Sequence, residues 1–458
     1  MSKLHSFCDK EEIKKVISKE GVRVHFVGAL GIGMRGLLEL SHSMGMTVTG
    51  SDSSVRGDFV YTDFGVKITP HSPKAVTGAD LVVYSLAISE DNPELACADW
   101  LKIPAVSRAE YLGILMDRYK MKITVSGSHG KSTATAMLHS VFSFAALSPT
   151  VLCGANLPHL NSPLALGRRD IVIAEACEYK DSFLHLNPSV ALFLNLELDH
   201  TDYFSTLDAL KSSFLVAMNK SPLCIVNGDD ENLRALLPRV KSRVVTFGKG
   251  EGCDVRMVSL RERGGYYSFG VVYKGKRQDI TLSVPGAHNC YNALGVLTVS
   301  LALGLPFPRI KSAISGFFGI ERRLQALGRY KSHPVYYDYA HHPTEIRAAI
   351  STVSELHHSP VTVIFKPHTY SRTKALLSDF ASALSLAERV IVLEISAVRE
   401  REIEGVSAEV LCEKIGERAV SVLDSEALGL LRQDGTPLIV MGAASVDGII
   451  REISENIE

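Results

Sequence analysis

The chain has 458 residues, 46% hydrophobic and 22% charged, with 49 Lys and Arg against 50 Asp and Glu. The length predicts about three domains, and the near-zero net charge of −1 excludes a broad nucleic-acid-binding surface while leaving room for local anion pockets. No run approaches the ~20 apolar residues of a membrane helix, the N-terminus has no apolar signal-peptide core, and the 8 cysteines form no CxxC pair, so a cytoplasmic enzyme with reduced thiols and no zinc finger is expected.

The first element is the apolar strand Val22–Val27, followed by glycines, a helix over Leu37–Met44 and a second strand over Met46–Thr49 that runs into Gly50-Ser51-Asp52. Leu81–Ser85 and Ile103–Val106 read as further strands. A second strand–loop–helix start lies at Lys122–Ser126, with strands at Ile171–Ala174, Val190–Leu194 and Leu223–Val226. A meander follows over Val255–Val284, with turns at Gly264-Gly265 and Lys274-Gly275-Lys276, and then an alanine-rich helix from Asn289 to Leu303. A third start at Val335–Asp338 leads into strands Val361–Phe365, Val390–Leu393 and Pro437–Met441. Three βα starts predict an α/β protein of three domains: a Rossmann-like domain over 1–120, a central P-loop-type ATPase domain over 121–323 and a Rossmann-like domain over 324–458.

Two glycine loops carry chemistry. Gly31-Ile32-Gly33-Met34-Arg35-Gly36 fits the dinucleotide fingerprint, and Asp52 ends the next strand where an acid meets a ribose. The loop suits a nicotinamide cofactor or the pyrophosphate of a UDP-sugar; the plain alternative is glycines that only pack a helix on a strand. The second loop is Gly127-Ser128-His129-Gly130-Lys131-Ser132-Thr133, which lacks the first glycine of a strict P-loop because Val125 stands there. Its N–H groups would cradle phosphate, Lys131 would neutralise β- and γ-phosphate charge, and Ser132 would offer Mg²⁺ a hydroxyl oxygen. A nicotinamide dehydrogenase does not need the second loop, whereas an enzyme using one nucleotide as activator and another as a substrate handle needs both.

Acidic groups complete the expected site. Glu175 sits at the end of a strand, where open α/β sheets bind ligands, and is a candidate Mg²⁺ ligand. His200, in Asp199-His200-Thr201-Asp202, is open to three readings: metal ligand, general base toward an amine, or a loop-anchoring histidine.

Taken together these residues resemble the Mur ligase family along essentially the whole chain. Gly130-Lys131-Ser132-Thr133 is similar to its ATP loop and Asn195–Phe204 to its histidine motif. Pro285–Ala293 is similar to its asparagine motif, and Arg322-Arg323 to its arginine pair. Asp338-Tyr339-Ala340-His341-His342-Pro343-Thr344-Glu345 and Phe365–Thr373 resemble its C-terminal motifs, the former pointing to the alanine-adding branch. The resemblance implies ATP and Mg²⁺ as cofactors, UDP-N-acetylmuramate and L-alanine as substrates, and an acyl phosphate. It implies that Lys131, Ser132, Glu175 and His200 serve the phosphates and metal, with Arg323 stabilising charge. It also implies nucleotide contacts from Asn289, Asn292 and Asp338, UDP-sugar contacts near Gly31, Gly33, Met34, Ser51 and Asp52, and an alanine pocket of Tyr339, His341 and Arg372.

Five positions depart from the patterns of these relatives, one of them, Ser132 for a threonine, without loss of the hydroxyl. Cys177 and Lys180 stand where acids are expected, and Lys180 reverses a charge near the presumed sugar and metal site. Thr369 replaces a second arginine, and Leu215 occupies the place of a carbamylated lysine in some relatives. The rival readings are a ligase that attaches a recycled peptide, a nicotinamide oxidoreductase, and a non-catalytic UDP-sugar-binding paralogue.

Overall fold

The protein is built on three sheets, each dominated by parallel strands, in a computed structural model that describes residues 9–56, 60–61, 65–397, 400–443 and 446–457. Cys8 lies outside the described residues. The first sheet has six strands in the order Val60–Tyr61, Lys67–Thr69, Thr47–Ser51, Arg23–Val27, Leu81–Tyr84, Ala105–Ser107, and only its first pairing is antiparallel. The helix Ile32–Ser43 crosses between Arg23–Val27 and Thr47–Ser51. It starts five residues before the expected Leu37, because helical backbone begins directly at the glycine loop.

The central sheet has ten strands. Its core runs Arg243–Gly248, Leu223–Asn227, Val190–Phe193, Met121–Ser126, Ile171–Glu175, Thr150–Leu152, all parallel. The expected meander is the antiparallel ribbon Val255–Arg263, Tyr266–Tyr273, Lys276–Thr281, turning at Gly264 and Gly265, both left-handed, and at Lys274-Gly275. Two helices, Lys131–Phe144 and His288–Ala302, pack together over this sheet and bury most of their side chains.

The C-terminal sheet runs Gln325–Tyr330, His333–Asp338, Leu438–Met441, Thr362–Phe365, Arg389–Leu393, Ala419–Val422. Its first strand is an antiparallel edge that precedes the expected start at Val335. The strand bulges between Ala326 and Gly328 and its burial is patchy, so it carries little of the apolar run that marks the buried strands. Arg243–Gly248, Thr150–Leu152 and Ala419–Val422 were likewise not anticipated; they are short or half-exposed and lack the continuous apolar signal of a central strand.

The cores are divided unequally. One apolar cluster is continuous from the N-terminal sheet (Phe26, Leu37, Tyr111) into the near face of the central one (Phe183, Phe193, Phe214). The two clusters of the C-terminal sheet, around Phe365 and around Val440, draw on no residue of the other two sheets. The N-terminal and central sheets are thus fused by a shared core, while the C-terminal one is joined by polar contacts and by the chain at Arg322–Leu324. There Arg322 and Leu324 both adopt left-handed φ, of 60° and 46°.

Candidate active site

Two adjoining cavities, of about 510 and 450 Å³, lie at the C-terminal ends of the sheets, where open α/β folds bind ligands. The phosphate-loop residues His129 and Gly130 and the arginine Arg323 border both.

The N-terminal domain contributes Ile32, Gly33, Gly36 and Arg108 to the larger cavity. Arg108 opens the helix Arg108–Met116, which is fixed by a Ser107/Glu110 capping box. A Cβ at Gly33 would come into van der Waals contact with Arg108. The other expected residues of this region do not line the cavity. Gly31 is the N-cap of its helix and Met34 is buried in the core. Asp52 accepts from the Leu30 N–H at 3.0 Å and from Ser54, bracing the glycine loop. The Ser51 hydroxyl donates to the fully buried Glu94 at 2.5 Å and lies 3.0 Å from His71 Nδ1. Glu94 in turn accepts from the Ser72 N–H and lies 3.4 Å from His25.

The second loop is built for an anion. Gly127 and Gly130 have φ of 146° and 81°, turning N–H groups toward the start of the helix Lys131–Phe144. A Cβ at Gly130 would overlap the Asn292 amide, so only glycine lets that asparagine approach. Asn292 donates to Asn289 Oδ1 at 3.0 Å, and Asn289 donates to the Pro285 carbonyl at 2.7 Å, which places both amides on the wall of the smaller cavity. Thr133 and Asp338 face the same space, and Ser128 lines the larger one. Lys131 Nζ donates to the Gly127 and Ser128 carbonyls at 2.6 and 3.1 Å and to Glu178 at 3.0 Å. Burial opposes its charge, but Glu178 above all raises its pKa, so it remains an ammonium. Ser132 donates to Glu175 Oε2 at 2.8 Å, and the Gly154 N–H to the same oxygen at 2.7 Å.

His200 lies at the rim of this group, with Nε2 3.7 Å from Glu178 and 3.9 Å from Asp199, on a left-handed backbone of φ 54°. Burial would lower its pKa; the Cys177 side chain and the charges of Asp199 and Glu178 outweigh that and lift it to about 9. Cys177 lines the larger cavity beside it. Lys180 does not line it: its ammonium sits 5.5 Å from the Tyr179 ring centroid, and Lys180 and Asp181 are consecutive left-handed residues. The charge reversal is therefore turned onto Tyr179. Leu215 packs against the shared apolar cluster.

The C-terminal domain closes the site with side chains that reach the central one. Arg372, buried, donates from Nε and Nη2 to Asp199 Oδ1 at 3.1 and 2.8 Å, and its Nη1 lies 3.2 Å from His368 Nδ1. Burial disfavours the Asp199 carboxylate, but Arg372 holds its pKa well below the usual range. Thr369 reaches the cavity from φ 69°, an unusual conformation for a β-branched residue. Tyr339 packs under both arginines, 4.6 Å from Arg322 and 5.2 Å from Arg323. His341 Nδ1 lies 2.9 Å from the Tyr339 carbonyl, and burial lowers its pKa to about 3, so the ring is neutral with Nε2 as acceptor. Asp338 accepts from the Leu324 and Ala340 N–H groups at 2.6 Å each; burial raises its pKa to about 6. Glu345 lies 3.7 Å from Arg323 Nη1 and 3.2 Å from His129 Nδ1.

Sequence reasoning missed Arg108, Glu178, Glu197 and Glu345 as site residues. Glu197 and Glu345 lie inside the histidine and C-terminal motifs without assigned roles, and the partners of all four become visible only in three dimensions.

Comparisons with known proteins agree with this architecture. Residues 23–120 match the family model described as Mur ligase family, catalytic domain; 125–300 match the Mur ligase middle domain; 322–443 match the Mur ligase, glutamate ligase domain. The chain is 38% identical over 448 residues to the UDP-N-acetylmuramate–L-alanine ligase of Aquifex aeolicus, covering 95% of this chain and 96% of that one. It is 37% identical over 399 residues to the enzyme of the same name from Caldicellulosiruptor bescii, covering 86% and 88%. Among solved structures, the UDP-N-acetylmuramate–alanine ligase of Thermotoga maritima superposes with a TM-score of 0.80 at 27% identity, covering 94% of this chain and 98% of that one. With three consecutive family models spanning its three sheets and these full-length relatives, the chain belongs to the Mur ligase family.

Proposed function

We propose that the chain is an ATP-dependent ligase joining L-alanine to the lactyl carboxylate of UDP-N-acetylmuramate, through an acyl phosphate, in peptidoglycan precursor synthesis. The observation that carries this reading is the convergence of Lys131, Arg323 and the Tyr339–His341–Arg372 group on one cavity that also reaches Gly33 and Arg108. In this assignment residues 1–120 hold the UDP-sugar, 121–323 hold ATP, and 324–458 bring the amino acid and close the site.

A carboxylate is a poor electrophile at neutral pH, and phosphorylation turns one of its oxygens into a leaving group. The chain's part is to gather and neutralise negative charge. Asn289, Asn292 and Asp338 line the smaller cavity, which suits the nucleoside of ATP. The N–H groups at Gly127–Thr133 and the Lys131 ammonium meet its phosphates. The oxygen donors Ser132 and Glu175, already 2.8 Å apart, fit the preference of Mg²⁺ for oxygen, with His200 at the edge of the site. Bound there, Mg²⁺ would spread the charge of the transferring phosphate. Arg323, cationic and partly buried between the two cavities, stabilises the charge of the tetrahedral species. Neutral His341 offers Nε2 to an N–H of the incoming amine, and Arg372 faces the amino-acid carboxylate with Nη1, the nitrogen that Asp199 does not hold.

Steady-state phosphate release tests this. Release should require both UDP-N-acetylmuramate and L-alanine, and Lys131→Ala should lower kcat by about a thousandfold, the scale of losing a transition-state charge partner. Release that is independent of the amino acid, or intact in Lys131→Ala, would reject the assignment.

A further inference from the structure

Beside the phosphate loop, one trio of metal-ligating side chains stands together among the described residues: His129, Glu197 and His342, with one donor atom from each within 4.8 Å of the others. His129 comes from the phosphate loop and Glu197 from the loop after the strand Val190–Phe193. His342 is the N-cap of the helix Pro343–His357 in the C-terminal domain. The trio therefore spans the polar seam between the two domains that share no apolar core.

One spacing is that of a coordination shell, and the others are somewhat wider. His129 Nε2 lies 3.3 Å from Glu197 Oε2, and His342 Nδ1 lies 3.8 Å from the same oxygen. Around tetrahedral zinc, with bonds of ~2.0–2.2 Å, neighbouring donors stand roughly 3.3–3.5 Å apart. His129 is also oriented as a ligand, because Glu345 Oε1 lies 3.2 Å from its Nδ1 and leaves Nε2 facing Glu197. A carboxylate behind a histidine is the usual outer support of a metal-bound imidazole. Thr344 steadies the Glu197 carboxylate with a 2.6 Å hydrogen bond to Oε2. A second observation comes from His342. Its side chain is more than nine-tenths buried, and Nδ1, the nitrogen that faces Glu197, receives only a long contact of 3.4 Å from the Thr344 N–H. A buried lone pair held by so long a contact is open to a cation.

We propose that His129, Glu197 and His342 form a site for a borderline divalent cation of the Zn²⁺ class, distinct from the oxygen site at Ser132 and Glu175, which pins the C-terminal domain against the central one. Two imidazoles and one carboxylate select zinc or cobalt over magnesium. His129 and Glu197 both border the smaller cavity, so the fourth coordination position opens toward it. An ion held this way joins two domains and favours their closed arrangement.

Co²⁺ is the probe, because tetrahedral N/O coordination gives intense visible d–d absorption. The full chain, in a large excess of Mg²⁺ to fill the oxygen site, is titrated with Co²⁺ and then back-titrated with Zn²⁺. One equivalent of Co²⁺ should produce the tetrahedral band, and Zn²⁺ should abolish it. His342→Asn keeps a capping acceptor for the helix while removing the imidazole, and Glu197→Gln keeps the shape of the carboxylate. Each should weaken binding at least tenfold with circular dichroism unchanged. Absence of the band in the parent protein would overturn the proposal. So would a band of unaltered affinity in both variants, which would put the ion elsewhere.

Discussion

Lys131 shows how a residue can be legible in type and illegible in company. Its place after a strand and before a helix announces an anion site, since an ammonium at a helix N-terminus is unfavourable without one. Nothing in the sequence announces that Glu178 holds it at 3.0 Å. Asp338 is a similar case with a measurable consequence. Burial raises its pKa from the ordinary 3.8 to about 6, so the ionised form is disfavoured in the folded protein without nucleotide. For a group whose folded pKa is raised, the stabilising contribution is complete below the unfolded value and is lost as pH rises toward the folded one. A nucleotide hydroxyl donating to the carboxylate reverses that preference. ATP affinity measured by calorimetry should therefore tighten as pH rises through about 6, and Asp338→Asn should flatten that part of the profile. A parent profile no steeper than that of Asp338→Asn would remove Asp338 from the nucleotide site.

Among the elements, strands and helices with continuous apolar runs were readable: Arg23–Val27, Met121–Ser126, Val190–Phe193 and His288–Ala302 lie within a residue or two of expectation. Edge strands such as Gln325–Tyr330 and Arg243–Gly248 were not, because their exposed faces erase the signal. Close packing between elements was equally hidden. The helix Arg108–Met116 meets the segment Tyr179–His185 so tightly that a Cβ on Gly113 would overlap the His185 carbonyl. Backbone offers no flexible end to yield there, so Gly113→Ala forces the N-terminal domain away from the central one. The expected cost is about 1–3 kcal/mol or more, seen as a lower Tm. An unchanged Tm would mean that the two domains do not share the apolar core described above.

Across the whole molecule, the site exists only when the C-terminal domain lies against the central one. Its key pairs link residues far apart in sequence: His129 with Glu345 across 216 positions and Arg372 with Asp199 across 173. That separation is why the motifs were legible one by one while their pairing was not. The C-terminal domain is the mobile partner in this account, because its cores are its own and its seam is ionic. ATP together with UDP-N-acetylmuramate should compact the protein in small-angle scattering. Asp199→Asn should blunt the change, since it leaves Arg372 buried without its counter-charge, at a cost of about 3–5 kcal/mol to the closed form. A radius of gyration indifferent to both nucleotides would contradict the closure.

The most direct test of the central claim is mass spectrometry of the product formed when the chain receives ATP, Mg²⁺ and UDP-N-acetylmuramate with an equimolar mixture of L-alanine, glycine, L-serine and an alanyl peptide. The account predicts UDP-N-acetylmuramoyl-L-alanine as the dominant product. A dominant peptide adduct would assign the chain to peptide attachment instead, and no adduct with any acceptor would contradict ligase activity altogether.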